Sequence, residues 1–373
     1  MASNPERFRH LQTSLAAGQA ILLSTPTDLA YFADFSVLLP EEREGFLLIT
    51  AETCYLIKAT FSPAPAEHTY QILEQCRPPA LAKHLEKIIQ ADHLHELALD
   101  FSSVFVDEYQ AIQKVAEENQ VTLVAEDKDQ IWQLRMIKDE TEIEELRLAG
   151  HYGEAAFQTV RKKLQVGITE KEVAAQIEVA LLELGADKTA FPTIVAFGAN
   201  GASPHYQPGN VALTAEMPVL IDMGAMVHGY RSDLTRSFWF GDHPTEEFTK
   251  IEKIVIGAYQ ETAQFLDKTL RKSSLSNLPG TVTSIGIAAK ELDTIARTSI
   301  RQYGYGQQFI HTTGHGVGLD IHEPPSLNWS NDQPLKPGMV ITIEPGIYLP
   351  DHFGLRYENT ILIGEKHSEV LTK

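Results

Sequence analysis

Short apolar runs and helical periodicity alternate along the first third of the chain. Runs typical of buried strands occupy residues 20–24, 45–50, 54–59, 96–100 and 121–125. Between them, apolar residues recur at helical spacing over residues 81–89, and Ser102 or Ser103 could cap a helix that runs to about Glu118. The pattern predicts a small N-terminal α/β domain.

A change of pattern marks a domain boundary. Residues 127–138 are mostly polar, and a long helix is predicted over residues 139–164, with acids in its first turn and two lysines in its last. We therefore expect an N-terminal domain over residues 1–130 and a C-terminal domain over residues 131–373.

The C-terminal part separates helices from strand pairs. Thr169 and Glu172 fit a capping box, and Gly185 would end the helix that follows. Two more helices are predicted at about 245–272 and 281–302. Strand-like runs lie at residues 193–198, 217–224, 232–240, 339–348 and 355–363. Helices and antiparallel hairpins in separate blocks predict an α+β fold rather than a doubly wound sheet.

Two predicted hairpins each carry a pair of acids. With a turn near residues 227–229, the first hairpin sets Asp222 opposite Asp233. With its turn centred on the aspartate of LPDHFG, the second sets Glu344 opposite Glu358. Cross-strand neighbours lie roughly 4.5 to 5.5 Å apart at Cβ, where like charges are destabilising. Four acids placed in this way need compensation.

Divalent cations would compensate such a cluster. Four buried carboxylates cannot all stay ionised unaided, and protonated acids in an apolar sheet also cost free energy. An oxygen-rich site with one imidazole suits Mn²⁺, Co²⁺ or Zn²⁺, and paired ions generate a strong nucleophile at neutral pH. The pattern therefore predicts metal-assisted hydrolysis. The alternative is that the acids face solvent or pair with Arg231, Arg236 or Arg356.

A segment rich in histidine and glycine supplies candidate nitrogen ligands. Residues 309–329 contain His311, His315 and His322, and the glycines between them disfavour a helix and permit close approach of the backbone. The spacing alone leaves all three histidines open as ligands. His205, in ASPHY, is equally open between a turn residue and a site residue.

Composition narrows the classes of function. A chain of 373 residues exceeds the usual size of a single core, which favours two domains. With 50 acidic against 31 basic residues the formal charge is -19, which disfavours nucleic acid and anionic membranes as partners. Cys54 and Cys76 offer neither a disulfide scaffold nor a zinc pair. Because no signal-like or membrane-spanning run is present either, we expect a cytoplasmic protein.

The motifs together resemble the metal-dependent Xaa-Pro peptidases of the creatinase, aminopeptidase P and prolidase superfamily. The resembling segments, spread over roughly residues 133–373, are ASPHY, LIDMGAMVHGYRSDLTRSF, HTTGHGVGLDIHEPP, GMVITIEPGIY and GLRYEN. RFRHLQ and AILLSTPTDLAYFADF resemble the superfamily's smaller domain more loosely. The resemblance implies a creatinase-like N-terminal α/β domain followed by a C-terminal catalytic domain with the pita-bread fold.

The resemblance also implies a set of metal ligands. Asp222 would chelate one of two divalent ions, and Asp233 and Glu358 would bridge both. His315 and Glu344 would bind the second ion. Mn²⁺ is the expected metal, with Co²⁺ or Zn²⁺ as alternatives.

Further residues are implied at the substrate. His205 and His322 would line the site and stabilise the oxyanion, and Glu344 would carry a proton to the leaving nitrogen. Tyr348 and Arg356 would be supporting groups, and Arg356 would orient the carboxylate of a metal ligand. For Arg356 an ordinary surface ion pair is the alternative.

The implied reaction is hydrolysis of the bond between an N-terminal residue and proline, with small peptides that carry proline in second position as substrates. An Xaa-Pro dipeptidase is favoured over an aminopeptidase P that acts on longer peptides. Ser326, where several prolidases hold a basic residue, and Asn359, where many relatives hold an acid, are departures from the family pattern. A metal-free creatinase-type hydrolase and a non-catalytic binding module are further alternatives. A homodimer is also implied.

Overall fold

A computed structural model describes residues 5–39, 41–276 and 285–373. The chain divides into two units, Met1–Leu134 and Arg135–Lys373. None of the helices in the described ranges is long and apolar enough to cross a membrane.

The N-terminal unit is a six-stranded sheet with helices packed on it. Its helices are α1 (Pro5–Ser14), α2 (Pro26–Ala33), α3 (Ala80–Ala91) and α4 (Val106–Glu118), and its strands are β1 (Gln19–Leu23), β2 (Gly45–Thr50), β3 (Cys54–Lys58), β4 (Gln71–Glu74), β5 (Glu96–Leu99) and β6 (Thr122–Ala125). The strand order is β4-β3-β2-β1-β5-β6, and β1, β5 and β6 are parallel. The five predicted strands are confirmed. β4 was not predicted because only two of its four residues, in QILE, are apolar.

The predicted serine cap of α4 is wrong. The helix begins after Phe105, whose N–H donates to Glu108 Oε2 at 2.9 Å. The Ser102 hydroxyl instead donates to the Asp100 carboxylate at 2.7 Å, and the Ser103 hydroxyl donates to the Asp100 carbonyl at 3.0 Å. Both serines serve the turn after β5, so neither reaches the helix.

The C-terminal unit combines helices with antiparallel strand pairs. Helix α5 (Lys128–Met136) leads into it, followed by α6 (Glu140–Arg161), α7 (Glu170–Leu184), α8 (Glu246–Ser276) and α9 (Ala289–Arg301). Its strands are β7 (Lys188–Thr189), β8 (Ile194–Phe197), β9 (Met217–Met223), β10 (Ala225–Val227), β11 (Tyr230–Arg231), β12 (Leu234–Phe240), β13 (Gly314–Gly316), β14 (Glu323–Leu327), β15 (Val340–Ile343), β16 (Gly346–Leu349), β17 (Phe353–Arg356), β18 (Asn359–Ile363) and β19 (Ser368–Val370). All strand pairs among its described residues are antiparallel, and the predicted α+β fold is confirmed.

Both ends of α7 are as predicted. Thr169 N–H donates to Glu172 Oε2 at 2.8 Å, and Glu172 N–H donates to Thr169 Oγ1 at 3.2 Å, which completes the capping box. Gly185 ends the helix with a φ of 103°, a conformation that glycine adopts without strain.

The predicted start of α9 is wrong. Residues 281–284 of the predicted helix lie outside the described residues, and the helix begins at Ala289. The chain before it pairs with Leu335: Ile285 N–H donates to the Leu335 carbonyl at 3.2 Å, and Leu335 N–H donates to the Ile287 carbonyl at 2.9 Å. This pairing uses backbone groups that a helix would need, so the helix starts after it.

The register predicted for the first acid-bearing hairpin is wrong by two residues. Its turn lies at His228 and Gly229, with φ of 47° and 87°, as in a two-residue hairpin loop. Asp222 consequently faces Thr235 rather than Asp233. Because side chains alternate with a period of two, an even displacement leaves both aspartates on one face of the ribbon.

The register predicted for the second hairpin is confirmed on both sides of its acids. Gly346 faces Arg356 where β16 pairs with β17. Ile343 faces Asn359 where β15 pairs with β18. Both pairs belong to the register that was predicted to set Glu344 against Glu358.

Candidate metal centre

Two glutamates lie where the paired strands of the second hairpin are interrupted. The sequence predicts one continuous strand on each side, but each strand breaks for two residues, and the breaks contain Glu344 and Glu358. Glu344 N–H donates to the Thr313 carbonyl at 2.8 Å, and Glu358 N–H donates to the Thr235 carbonyl at 3.2 Å. The breaks therefore connect the hairpin to β12 and to the segment that precedes β13.

Acids from both hairpins converge on one histidine. The ligand atoms of Asp233, His315 and Glu358 lie within 4.8 Å of one another. His315 Nε2 lies 3.3 Å from Glu344 Oε1 and 3.8 Å from Asp233 Oδ2. Of the three histidines that spacing left open, His315 is the one grouped with Asp233 and Glu358, while His311 Nδ1 lies 3.9 Å from Glu344 Oε2.

Asp222 joins the cluster with one oxygen held and the other unpartnered. Arg356 Nη2 donates to Asp222 Oδ2 at 2.5 Å. Asp222 Oδ1 is buried and has no hydrogen-bond partner among the residues that the structure describes. A buried polar atom without a partner costs roughly 1–3 kcal/mol, and a bound cation would remove that cost.

The protonation of His315 suits a metal ligand. His315 Nδ1 lies 3.0 Å from the Gly316 carbonyl, which can only accept, so Nδ1 is assigned the proton and Nε2 the lone pair. Burial lowers the pKa of His315, which favours this neutral form. The lone pair faces the carboxylates, an arrangement that a cation between them would stabilise. A Cβ on Gly314 would lie 2.1 Å from the Thr342 carbonyl, so only glycine permits this close approach.

Burial and mutual repulsion raise the pKa values of three acids in this cluster. Burial, followed by the charges of Glu358, Asp222 and Glu344, raises the pKa of Asp233 well above its ordinary range. Burial and the charges of Glu344 and Asp222 do the same to the pKa of Glu358. Burial also raises the pKa of Glu344. Oxygen donors in this number, with one imidazole, fit divalent cations.

Arg356 is buried, with 3% exposure, so a surface ion pair is the wrong description of it. Its Nη1 donates to Tyr348 Oη at 2.6 Å. His311 Nδ1 lies 2.8 Å from the Thr312 carbonyl, so His311 Nε2 is assigned as the acceptor of the Tyr348 hydroxyl proton, at 2.9 Å. Burial raises the pKa of Tyr348 to about 12, which keeps this hydroxyl protonated. A relay of hydrogen bonds thus runs from Asp222 to His311.

Sequence reasoning missed Thr235. Its hydroxyl donates to Glu358 Oε2 at 2.6 Å and accepts from Arg356 Nε at 2.9 Å. Thr235 follows Asp233 by two positions, so strand alternation was the available signal. Arg231 donates instead to the main-chain carbonyl of Leu319 at 2.8 Å, away from the acids.

A cavity of about 690 Å³ opens over the acids. The exposed side chains of His205 and His322 line it, and the His322 ring centroid lies 4.4 Å from that of His315. Phe191 and Ile194 contribute apolar wall. Its volume is that of a small-molecule site, and its lining combines apolar and polar side chains.

Two family models match the chain. The description "Metallopeptidase family M24" matches residues 144–365, and "Creatinase/Prolidase N-terminal domain" matches residues 7–137. The chain belongs to metallopeptidase family M24. It is thus a peptide-bond hydrolase of the pita-bread superfamily, and the resemblance found in the sequence is confirmed. Membership also implies divalent metal ions, which the donor set fits.

Similar proteins match almost the whole M24 chain. An Xaa-Pro dipeptidase from Pyrococcus furiosus is 32% identical over 358 residues, which cover 95% of this chain and 93% of that protein. The crystal structure of an X-Pro aminopeptidase from Thermotoga maritima is 30% identical, with a TM-score of 0.82 and 97% of each chain covered. A prolidase structure from Pyrococcus horikoshii is 32% identical, with a TM-score of 0.83, and covers 99% of this chain and 98% of that one.

Proposed function

We propose that this metallopeptidase is a dinuclear-metal exopeptidase that hydrolyses the bond between an N-terminal residue and proline, with Xaa-Pro dipeptides as favoured substrates. The observation that carries the proposal is the convergence of carboxylates and His315 in the lining of a small cavity. The names of the similar dipeptidase and prolidase support the substrate class.

Five residues would hold the ions. Asp222 would bind one ion, and Asp233 and Glu358 would bridge both. His315 and Glu344 would bind the second, with Mn²⁺ as the first choice and Co²⁺ or Zn²⁺ as alternatives. Divalent ions bound in this way polarise a carbonyl and supply a nucleophile that is strong at neutral pH.

The chain's own groups would orient the peptide and move the proton. His205 and His322 line the cavity and would donate hydrogen bonds to the scissile carbonyl oxygen as its negative charge develops. Glu344 would take a proton from the attacking water and deliver it to the nitrogen as the C–N bond breaks. When the residue after the scissile bond is proline, its nitrogen carries no hydrogen, so the site need not accept a hydrogen bond from it. The apolar side chains of Ile194 and Ile321 in the cavity lining suit the proline ring.

A second candidate is an aminopeptidase P that cleaves longer peptides. Ser326, Asn331 and Gln333 line the cavity with neutral groups, and Arg356 is the single Arg or Lys among the described lining residues. Arg356 already binds Asp222, so a dipeptide carboxylate has no other arginine or lysine in this lining. The neutral wall, together with the similar X-Pro aminopeptidase, supports this alternative.

Metal removal and substrate length test both proposals. We expect chelation to abolish hydrolysis of Ala-Pro and Mn²⁺ to restore it, because the carboxylates cannot supply a nucleophile themselves. Initial rates on Ala-Pro and Ala-Pro-Ala at fixed Mn²⁺ would measure the preference. Rapid cleavage of the tripeptide with an inert dipeptide would select the second candidate. Activity without any metal would point to the creatinase-type alternative, and inactivity on every peptide would favour a binding module.

Arg356→Lys is expected to weaken metal binding by roughly 10- to 100-fold, as loss of an outer-shell partner does. Lysine cannot reproduce the separate guanidinium bonds to Asp222, Tyr348 and Thr235. Calorimetric titration of the stripped protein with Mn²⁺ would measure the change. Arg271→Lys, in an exposed pair with Asp267, is the matched control and should leave the affinity unaltered. Equal affinities in the two variants would contradict the prediction.

We also propose a cytoplasmic location and a homodimer. Two buried cysteines with free thiols, Cys54 and Cys76, support a reducing compartment. The family resemblance supports the dimer. Sedimentation analysis of the metal-loaded protein would test the oligomeric state.

A further inference from the structure

Glu170 is a fully buried acid outside the metal centre. It occupies the first turn of α7 with 0% exposure. Its Oε1 accepts from Phe197 N–H and from Asn200 Nδ2, both at 2.8 Å. Its Oε2 accepts from the Tyr206 hydroxyl and from Gly209 N–H, both at 2.9 Å. Four donors therefore share one carboxylate.

Capping does not account for this arrangement. Thr169 and Glu172 already satisfy each other at the start of α7. The Glu170 side chain instead binds groups on residues 197–209, more than twenty positions away in the sequence. The helix N-terminus favours a negative charge there, and four hydrogen bonds offset the cost of burying it.

The donors bracket His205. Asn200 lies on one side of it in the sequence, and Tyr206 and Gly209 lie on the other. The His205 side chain itself is exposed and makes no hydrogen bond to any residue in the described ranges. Its position therefore depends on how its loop is held. A further hydrogen bond joins the two sides of the loop, because the Tyr206 hydroxyl also accepts from Asn200 Nδ2 at 2.8 Å.

We propose that Glu170 is a positioning residue for His205, a role that rests on the proposed function. The buried carboxylate fixes both sides of the loop, and the loop presents His205 to the scissile carbonyl. Catalytic hydrogen bonds depend steeply on placement, so loosening this loop would lower kcat with the metal ligands unchanged.

Glu170→Gln tests the proposal. The amide offers one oxygen, so two of the four donors lose their acceptor, and the NH₂ group opposes an N–H or a hydroxyl donor. We expect kcat on the better substrate to fall roughly 10- to 100-fold with unchanged Mn²⁺ content. Tyr206→Phe removes one donor and should act in the same direction with a smaller effect. Amide hydrogen exchange in residues 197–209 should accelerate in Glu170→Gln.

A double-mutant cycle with His205→Ala distinguishes positioning from general destabilisation. If Glu170 acts through His205, Glu170→Gln should change kcat by less than about twofold in the His205→Ala background. Additive losses would overturn the proposal. Glu142→Gln is the matched control, because Glu142 is also a buried acid in a first helical turn that accepts from a tyrosine hydroxyl, that of Tyr230. It should lower the melting temperature and leave kcat unchanged.

The two proposals fail differently. A wild-type protein without peptidase activity would remove the proposed function, while hydrogen exchange would still report whether Glu170 holds the loop. An active wild type with an unaffected Glu170→Gln variant would remove the positioning role alone.

Discussion

Asp233→Asn is expected to raise the melting temperature of the metal-stripped protein and to lower kcat of the metal-loaded enzyme by roughly a thousandfold or more. The substitution removes one acid from a buried group in which each ionised carboxylate raises the free energy of the others, and this stabilises the protein without metal. The same substitution removes a proposed bridging ligand. Stability and activity should therefore change in opposite directions.

Calorimetry with and without Mn²⁺, together with peptidase rates, would measure both changes. Asp242→Asn is the same substitution at an exposed position just beyond the end of β12 and should alter neither quantity. A stripped Asp233→Asn protein that melts below the wild type would show that the four acids do not strain the fold.

Glu323→Gln is expected to lower the free energy of unfolding by about 3–5 kcal/mol, the usual cost of breaking a buried ion pair. Lys138 would lose its carboxylate partner, whereas Arg135 would keep Asp320 Oδ2 at 2.7 Å. Glu323 Oε1 accepts from Arg135 Nη2 at 2.6 Å, and Oε2 accepts from Lys138 Nζ at 3.1 Å. All three side chains are at most 4% exposed. Denaturant unfolding would measure the loss. Glu144→Gln, in an exposed pair with Arg147, should change the free energy little.

The effect of Glu323 should depend on pH. Burial alone would raise its pKa, but the charges of Lys138 and Arg135 and a hydrogen bond from Asp320 N–H lower it below its ordinary value. Arg231 adds a further positive charge nearby. A lowered folded-state pKa gives stability that is full above the unfolded value of about 4.3 and is lost as the pH falls through the folded value. The wild type and Glu323→Gln should therefore converge in stability in acid, and a constant difference would contradict the assignment.

The alternation of side chains along the strands was sufficient to predict that the acids of each hairpin lie on one face. The hairpin with Asp222 and Asp233 has a different turn from the predicted one, yet both residues remain on one face because the error in register is even. The other hairpin has the predicted register. What alternation cannot predict is that two strands break at their acids, since those breaks depend on hydrogen bonds to Thr313 and Thr235.

Burial and distant partners explain the remaining misses. Arg231 and Arg356 look equivalent in sequence, but only the fold places Arg356 beneath Asp222. Spacing could not separate His311 from His315, because the choice depends on which ring meets the carboxylates and which meets Tyr348. The role of Glu170 could not be predicted from the sequence, which shows only that it lies in a predicted helix, because its hydrogen-bond partners are far away along the chain.

The paired interruptions at Glu344 and Glu358 restrict how this hairpin can vary in length. Each strand omits the same number of residues, so the ladders on either side remain in step. Deleting one residue from a single gap would shift one ladder against the other and move the acid in that gap out of its place at the cavity. Insertions at the tip near Asp351 leave both ladders undisturbed. Tolerated changes in length should therefore occur at the tip, or as matched pairs in the two gaps.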